Sequence, residues 1–416
     1  MKVIKFKTFA TLLAVVGGMA VLSAQAQNKY VTSGTVIESG SSYQSISNRA
    51  ALEVTGSTTS YRGTKLTLSA TFDSGNGRYG VYARNQAALD LSGATVTTSG
   101  SAGAGVYFND STGNLDDVTI QTDGPGGYGL RLYSSATLTA GHLTIGTEGD
   151  NTYGVQVSET SCAVFDGLSV TVSGSMGAGA AVRALADSYI NLGTNAYLAA
   201  TGAGALFDLN GQGATSLRVS SRSTVAGASA TIISAFGAAA QVEDRSTLTL
   251  TDSRLQGRHG IAAVYQDGGV EGTTVTNIIG GTIDADENAI FVQPNAYGYT
   301  VGDSAIINIS GAVINSGTLL NNNEVWAGGS VTVNLDNADL ADAGGIVVGG
   351  SNASTTNVTV NGGSGINGDV TNSGSGALTV NLDHSSLTGD AANLGDGVLV
   401  ITLDNNSTGT GGYNGG

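Results

Sequence analysis

A glycine cue returns along this chain at an almost constant interval, and that interval limits the folds open to it. The cue is a Gly preceded by Tyr or Ala and followed by apolar residues. It occurs at Tyr79-Gly80-Val81-Tyr82, Ala104-Gly105-Val106-Tyr107, Tyr128-Gly129-Leu130, Tyr153-Gly154-Val155, Ala178-Gly179-Ala180 and Ala203-Gly204-Ala205. From Gly80 to Gly204 the glycine steps are 25, 24, 25, 25 and 25 residues. Spacing this even marks a stacked structural repeat.

Each repeat holds more than one strand. Ala88-Leu89-Asp90-Leu91 and Ala94-Thr95-Val96-Thr97 alternate apolar and polar residues across a Gly turn. The same order returns in Ala136-Thr137-Leu138-Thr139 with Leu143-Thr144-Ile145, and in Ser246 to Leu250 with Arg254-Leu255. Alternation rich in Val, Ile, Leu and Thr predicts short strands with one buried face, and helical spacing is not sustained. Three strands and three turns per repeat predict an all-β fold, a parallel β-helix of about 15 rungs. At about 4.8 Å per rung the rod would be about 70 Å long. Glycine suits corners of positive φ and close backbone stacking. Pro125 and Pro294 are the only prolines, as a molecule built from ladder-bonded strands requires.

Composition excludes several classes. The 416 residues include 64 Gly, 2 Pro, 1 Cys and 3 His, with 16 Lys+Arg against 32 Asp+Glu. Collagen needs abundant proline and a three-residue period, and a disulfide scaffold needs more than one cysteine. An acidic chain is a poor ligand for nucleic acid. Cys162, in Ser161-Cys162-Ala163-Val164-Phe165, reads as a small buried hydrophobe. No cofactor is expected.

Residues 1–26 read as a secretory signal. Lys2, Lys5 and Lys7 precede the apolar run Thr8 to Ser23, and Ala24-Gln25-Ala26 places small residues before a cut between Ala26 and Gln27. The run is short for a bilayer-spanning anchor. Removing three lysines leaves 13 − 32 = −19 on the mature chain. The expected organisation is N-terminal capping rungs over 27–78, regular β-helix over 79–292, a loop insertion at 293–303 and further β-helix over 304–416. In the last segment Asn308, Asn334, Asn361, Asn381 and Thr402 are expected to stack, with steps of 26, 27, 20 and 21. Stacked Asn forms a structural amide ladder. Tyr297 and Tyr299 in the inserted loop, with Trp326 nearby, are candidates for a carbohydrate-stacking patch, and the plainer reading of a loop packed on its own rungs is preferred to it.

The signal, the disulfide-free Gly/Ser/Thr/Asn-rich rungs and the acidity together resemble the passenger domains of Gram-negative autotransporters, nearest in style to the pertactin-like and AIDA-like adhesins. The likeness spans residues 1–416 and rests on repeat style. It implies a right-handed β-helix displayed on the cell surface or released, and secreted through a C-terminal outer-membrane β-barrel translocator with the barrel-assembly machinery. The implied role is non-enzymatic: adhesion, aggregation or host interaction, with a surface protein or glycan as partner. No alternating barrel strands with aromatic girdles are legible. The polar tail Thr408 to Gly416 reads as the end of a passenger fragment rather than of a shortened relative.

The rival expectation is a secreted polysaccharide lyase or hydrolase, since this fold also carries such enzymes. These need carboxylates on neighbouring rungs. The nearest fragments, Asp116-Asp117 and Arg258-His259-Gly260, are about six rungs apart, or roughly 28 Å. Gly302-Asp303-Ser304 resembles a serine-protease nucleophile segment, but His142, His259 and His384 are scattered and supply no triad. Asp284-Ala285-Asp286-Glu287-Asn288 lacks the EF-hand glycine, and Gly362-Gly363-Ser364-Gly365-Ile366-Asn367 is a single copy of a calcium-type repeat. Both read as turns.

Overall fold

Alternation along each strand sends every second side chain inward. In Thr247–Thr251 the leucines Leu248 and Leu250 are fully buried while the threonines stay partly exposed. The computed structural model describes residues 26–45, 49–71, 79–174, 179–202, 215–264, 272–293, 304–322, 329–349 and 354–415. Among these there is no helix, and the strands wind into a parallel β-solenoid of about 13 turns, close to the 15 expected. A typical turn runs through Tyr79–Arg84, Ala88–Ser92 and Thr95–Ser99. One sheet stacks 15 strands from Gly34–Ser39 to Val398–Asp404. Its neighbours are a sheet that begins each turn, rich in Tyr and Arg over residues 79–219, and a threonine-bearing sheet that ends each turn. The core is one continuous apolar column, from Val31 to Leu387.

One corner is nearly invariant. Between the fifteen-stranded sheet and the threonine sheet the chain turns in two residues, the first in the left-handed region. Lys65, Gly93, Asp117, His142, Gly167 and Asn195 occupy that place in successive turns, with φ between 48° and 72°. Gly, Asn and Asp tolerate this conformation best. Except at Gly167, the amide of each donates to the next turn, as from Gly93 to Asp116 O (2.9 Å) and from Asp117 to Gly141 O (3.0 Å). The second corner residue is buried, for example Ala94, Val118 and Leu143.

The cue glycines have a different cause. Gly80, Gly105, Gly129 and Gly154 stand in one column, fixed by the registers of the strands around them, and none has a positive φ. What they supply is room. A Cβ on Gly105 would lie 2.2 Å from Ile120 Cγ2 and 2.7 Å from Gly129 O. The even period ends sooner than the sequence suggested. Tyr153 pairs with Ala180, so Ala181 and not Gly179 continues the column; Gly204 lies outside the described residues.

Two further expectations are corrected. The turn does not always hold three short strands: Arg254–Val264, Thr282–Gln293 and Val313–Asn322 each run through a corner as one long strand. The corner survives there as register shifts, between Gly257 and His259 and between Ala285 and Asn288. Gln293 therefore belongs to a strand, not to the inserted loop. The expected column exists with one member replaced: Asn308, Asn334, Asn381 and Thr402 are in register, and Thr359 stands where Asn361 was expected. Asn334 is level with Thr359, and Asn361 sits opposite Asp336 and Asp383. Upstream the ladder includes Asn277, whose amide donates to Thr249 Oγ1 (3.2 Å). Asn308 donates to Asn277 Oδ1 (2.8 Å) and Asn334 to Asn308 Oδ1 (2.8 Å).

The first turns close with a polar plug. Glu38 points towards the core axis and accepts hydrogen bonds from Lys29 Nζ (2.6 Å), Tyr43 and fully buried Tyr61 (2.9 Å). Burial pushes the Glu38 carboxyl up, but the hydrogen bonds from Lys29, Tyr43 and Tyr61 outweigh it and hold the group below its usual value. At the other end Val398, Val400 and Leu403 of the last long strand are exposed.

Two predictions follow from this packing. Gly105→Ala should lower unfolding stability by about 1–3 kcal/mol through overpacking. Gly141→Ala, whose Cβ meets only the Asp116 carboxylate at 3.0 Å, should stay within about 0.5 kcal/mol; urea denaturation of both variants checks the pair. Because the folded-state pKa of Glu38 is depressed, its contribution is present above the unfolded value near 4.5 and is lost as pH falls through the folded value. Hydrogen exchange in residues 29–61 should accelerate on that descent, and Glu38→Gln should flatten the pH dependence while exchanging faster at neutral pH.

Candidate ligand-binding face

The corners of the solenoid are unequal, and their inequality singles out one face. The corner opposite the Tyr/Arg sheet keeps its two residues almost throughout, with three only at 362–364 and 405–407. The two corners that border the Tyr/Arg sheet take all the long connections. Segments 72–78, 173–179 and 201–214 precede its strands, and 265–272, 294–303, 323–329 and 349–354 follow them. Insertions on a rigid frame are where recognition is usually built.

The strands between those corners carry stacked rings. Tyr82 and Tyr107 are level in adjacent strands and stack at 5.2 Å with planes 9° apart; Tyr79 lies 4.7 Å and 4.8 Å from them. Tyr128 and Tyr153 stack at 5.5 Å and 13°. Because the rings stack along the rod, their faces are largely spent on each other. Burial raises the pKa of the Tyr79 and Tyr107 phenols, so both are protonated donors at neutral pH.

Arginines continue the ring columns. Arg131 follows Tyr107 in the same column, and its guanidinium carbon lies 5.2 Å from the Tyr107 ring centre, 4.8 Å from Tyr128 and 5.5 Å from Tyr133. Arg183, two ladder steps further, sits 5.3 Å from the Tyr153 ring and donates from Nη1 to its hydroxyl (3.2 Å). The Nε of each is buried without a hydrogen-bond partner. An unmet buried donor costs about 1–3 kcal/mol, and cation–π contact offsets that by about 0.5–1 kcal/mol where exposed and about 2 kcal/mol where desolvated. Next in the column, Arg218 is neutralised by Glu243 (2.6 Å), whose side chain is 2% exposed.

The residues singled out from sequence fall elsewhere. Tyr297, Tyr299 and Trp326 lie outside the described residues, as do residues 1–25 of the signal. Ala26 and Gln27 form a short strand opposite Tyr43 and Gln44. Asp116 belongs to the fifteen-stranded sheet and His259 to the Tyr/Arg sheet, six ladder steps apart, so no site joins them. His259 is buried, stacked on Phe291 at 4.5 Å and bonded through Nδ1 to Asn288. His142 lies 3.8 Å from Asp116, and His384 bonds to its neighbour Asp383. Cys162 is half-buried rather than enclosed, because it starts its strand on the outward side. Residues 284–288 are not a turn but part of a long strand, with Asp284 bound by Arg254 (2.9 Å) and Asn315 (2.8 Å). Gly362 and Gly363 do form a turn, at φ of 73° and 85°. Among the described residues no group of three or more His, Cys, Asp or Glu could hold a metal.

The arginine column escaped sequence reading although its signal was present. The position two after the cue glycine reads Tyr82, Tyr107, Arg131 and Gln156 in successive repeats. If Arg131 is held against its own stability, Arg131→Met should leave the melting free energy within about 1 kcal/mol of wild type, since Met also packs well on aromatic rings. Arg218→Met should cost about 3 kcal/mol by stranding buried Glu243. Calorimetry of the two variants separates an unpaired guanidinium from a structural one. No protein-family model matches this chain, and a search of curated proteins finds no significant relative.

Proposed function

We propose that this chain is a non-enzymatic recognition rod, exported by its N-terminal signal and displayed on a Gram-negative cell surface as an autotransporter passenger. Its work would be adhesion, aggregation or host interaction. The observation that carries this reading is the asymmetry of the corners: a nearly uniform frame on one side, and the long connections at the corners of the sheet that begins each turn, the sheet that carries the Tyr/Arg columns in its earlier turns. A solenoid presents such a face as a long, rigid, multivalent surface. Fold alone does not separate a binder from an enzyme. What favours binding is the chemistry of the face, where rings and guanidiniums are aligned. Partners in this reading are a surface protein or glycan, and a β-barrel translocator with its assembly machinery.

Protease shaving of intact source cells followed by immunoblotting tests display. The expected result is a protease-sensitive antigen well above the 41.3 kDa of this sequence, carrying passenger and barrel together. An antigen at or below that mass, protected inside the envelope or free in the medium, would sink the anchored reading. Polysaccharide cleavage assays would then come first.

A further inference from the structure

We infer that the Tyr/Arg face binds an anionic polysaccharide laid along the rod, with acid groups of the glycan on Arg131 and Arg183. The inference rests on the recognition reading above and names its ligand class.

Charge bookkeeping isolates these two side chains. Apart from Arg49 at an exposed corner, the other described arginines all have a carboxylate within ion-pair distance: Arg62, Arg84, Arg218, Arg222, Arg254, Arg258 and Arg245, whose Nε lies 3.5 Å from Asp244 and, like those of Arg131 and Arg183, makes no hydrogen bond. Arg131 and Arg183 have none among the described residues, in a chain with net charge −16. Tyrosine rings stand against both guanidiniums, and a partnerless Nε is buried in each. A guanidinium so placed offers its remaining N–H groups outward to a carboxylate or sulfate. The Glu159 carboxylate, at the end of the same sheet, accepts a hydrogen bond from the Tyr133 hydroxyl.

Spacing chooses among polyanions. The two arginines are two ladder steps apart, with Gln156 between them, a separation of about 10 Å. On an extended peptide, side chains of one face recur at about 7 Å, out of phase with this pair. A glycan carrying one acid group per disaccharide has roughly the right rise. Phenol hydroxyls of Tyr128 and Tyr153 line the same track and suit sugar hydroxyls.

The test is biolayer interferometry of the purified chain against hyaluronan (carboxylate), dextran sulfate (sulfate), neutral dextran and poly-glutamate, with Arg131→Gln, Arg183→Gln and the exposed Arg62→Gln as variants. Melting curves confirm that each variant is folded. The expected result is salt-sensitive binding to hyaluronan or dextran sulfate, weakened at least tenfold by Arg131→Gln and by Arg183→Gln and unchanged by Arg62→Gln. Which of the two glycans binds decides between carboxylate and sulfate. Equal binding to poly-glutamate, equal loss in Arg62→Gln, or no binding to either anionic glycan would overturn the proposal. Binding of the chain to cultured cells, run in parallel, separates the failures. If cell binding persists without glycan binding, only the ligand class falls; if both are absent, the recognition reading falls with it.

Discussion

Everything in this molecule depends on the in-register parallel ladder between successive turns. Strands in such a ladder lie about 4.8 Å apart and each residue faces its counterpart. A side chain is therefore chosen less for its own turn than for the column it joins. Buried columns take Val, Leu and Ile, as in Val96 level with Leu68 and Ile120. Outward columns take groups that gain from like neighbours: rings at Tyr82 and Tyr107, amides at Asn277, Asn308 and Asn334. The ladder also sets where glycine is needed. Beside the Tyr/Arg sheet it makes space for Val96, Ile120, Ile145 and Val170, whereas at the opposite corner it serves conformation.

Much of this was legible in the sequence because the ladder writes itself as period and alternation. The strands Ala88–Ser92 and Thr95–Ser99 are where alternation places them. What failed was the assumption that a Gly in the right place is the same column. Gly179 arrives on schedule, but the connection 173–179 has lengthened, and Ala181 takes the buried place. Asn361 failed likewise: an eye for Asn skipped Thr359, although a threonine hydroxyl ends the same ladder at Thr249. Register is decided by the whole strand and its buried alternation, so one residue type is a weak guide once corner lengths vary.

The candidate site was less legible than the fold for a related reason. Arg131 follows a cue glycine by two residues but Arg183 follows none, and their sequence separation exceeds two repeats. Only stacking brings them onto one line, and only side-chain geometry shows that Arg218, in the same column, is neutralised while they are not. The aromatic residues that did stand out, Tyr297, Tyr299 and Trp326, drew attention because they interrupt the pattern. The Tyr/Arg column went unread because it conforms to it.

The unequal corners tie architecture to role. A two-residue corner with one left-handed residue leaves little slack, and only 362–364 and 405–407 take a third residue there, with the strands on both sides still in register. The corners beside the Tyr/Arg sheet are closed by stacking of a small residue against the threonine-sheet strand, as Gly129 against Ile145. The longest connections all fall at the corners of the sheet that begins each turn. The unpaired guanidiniums lie on that sheet.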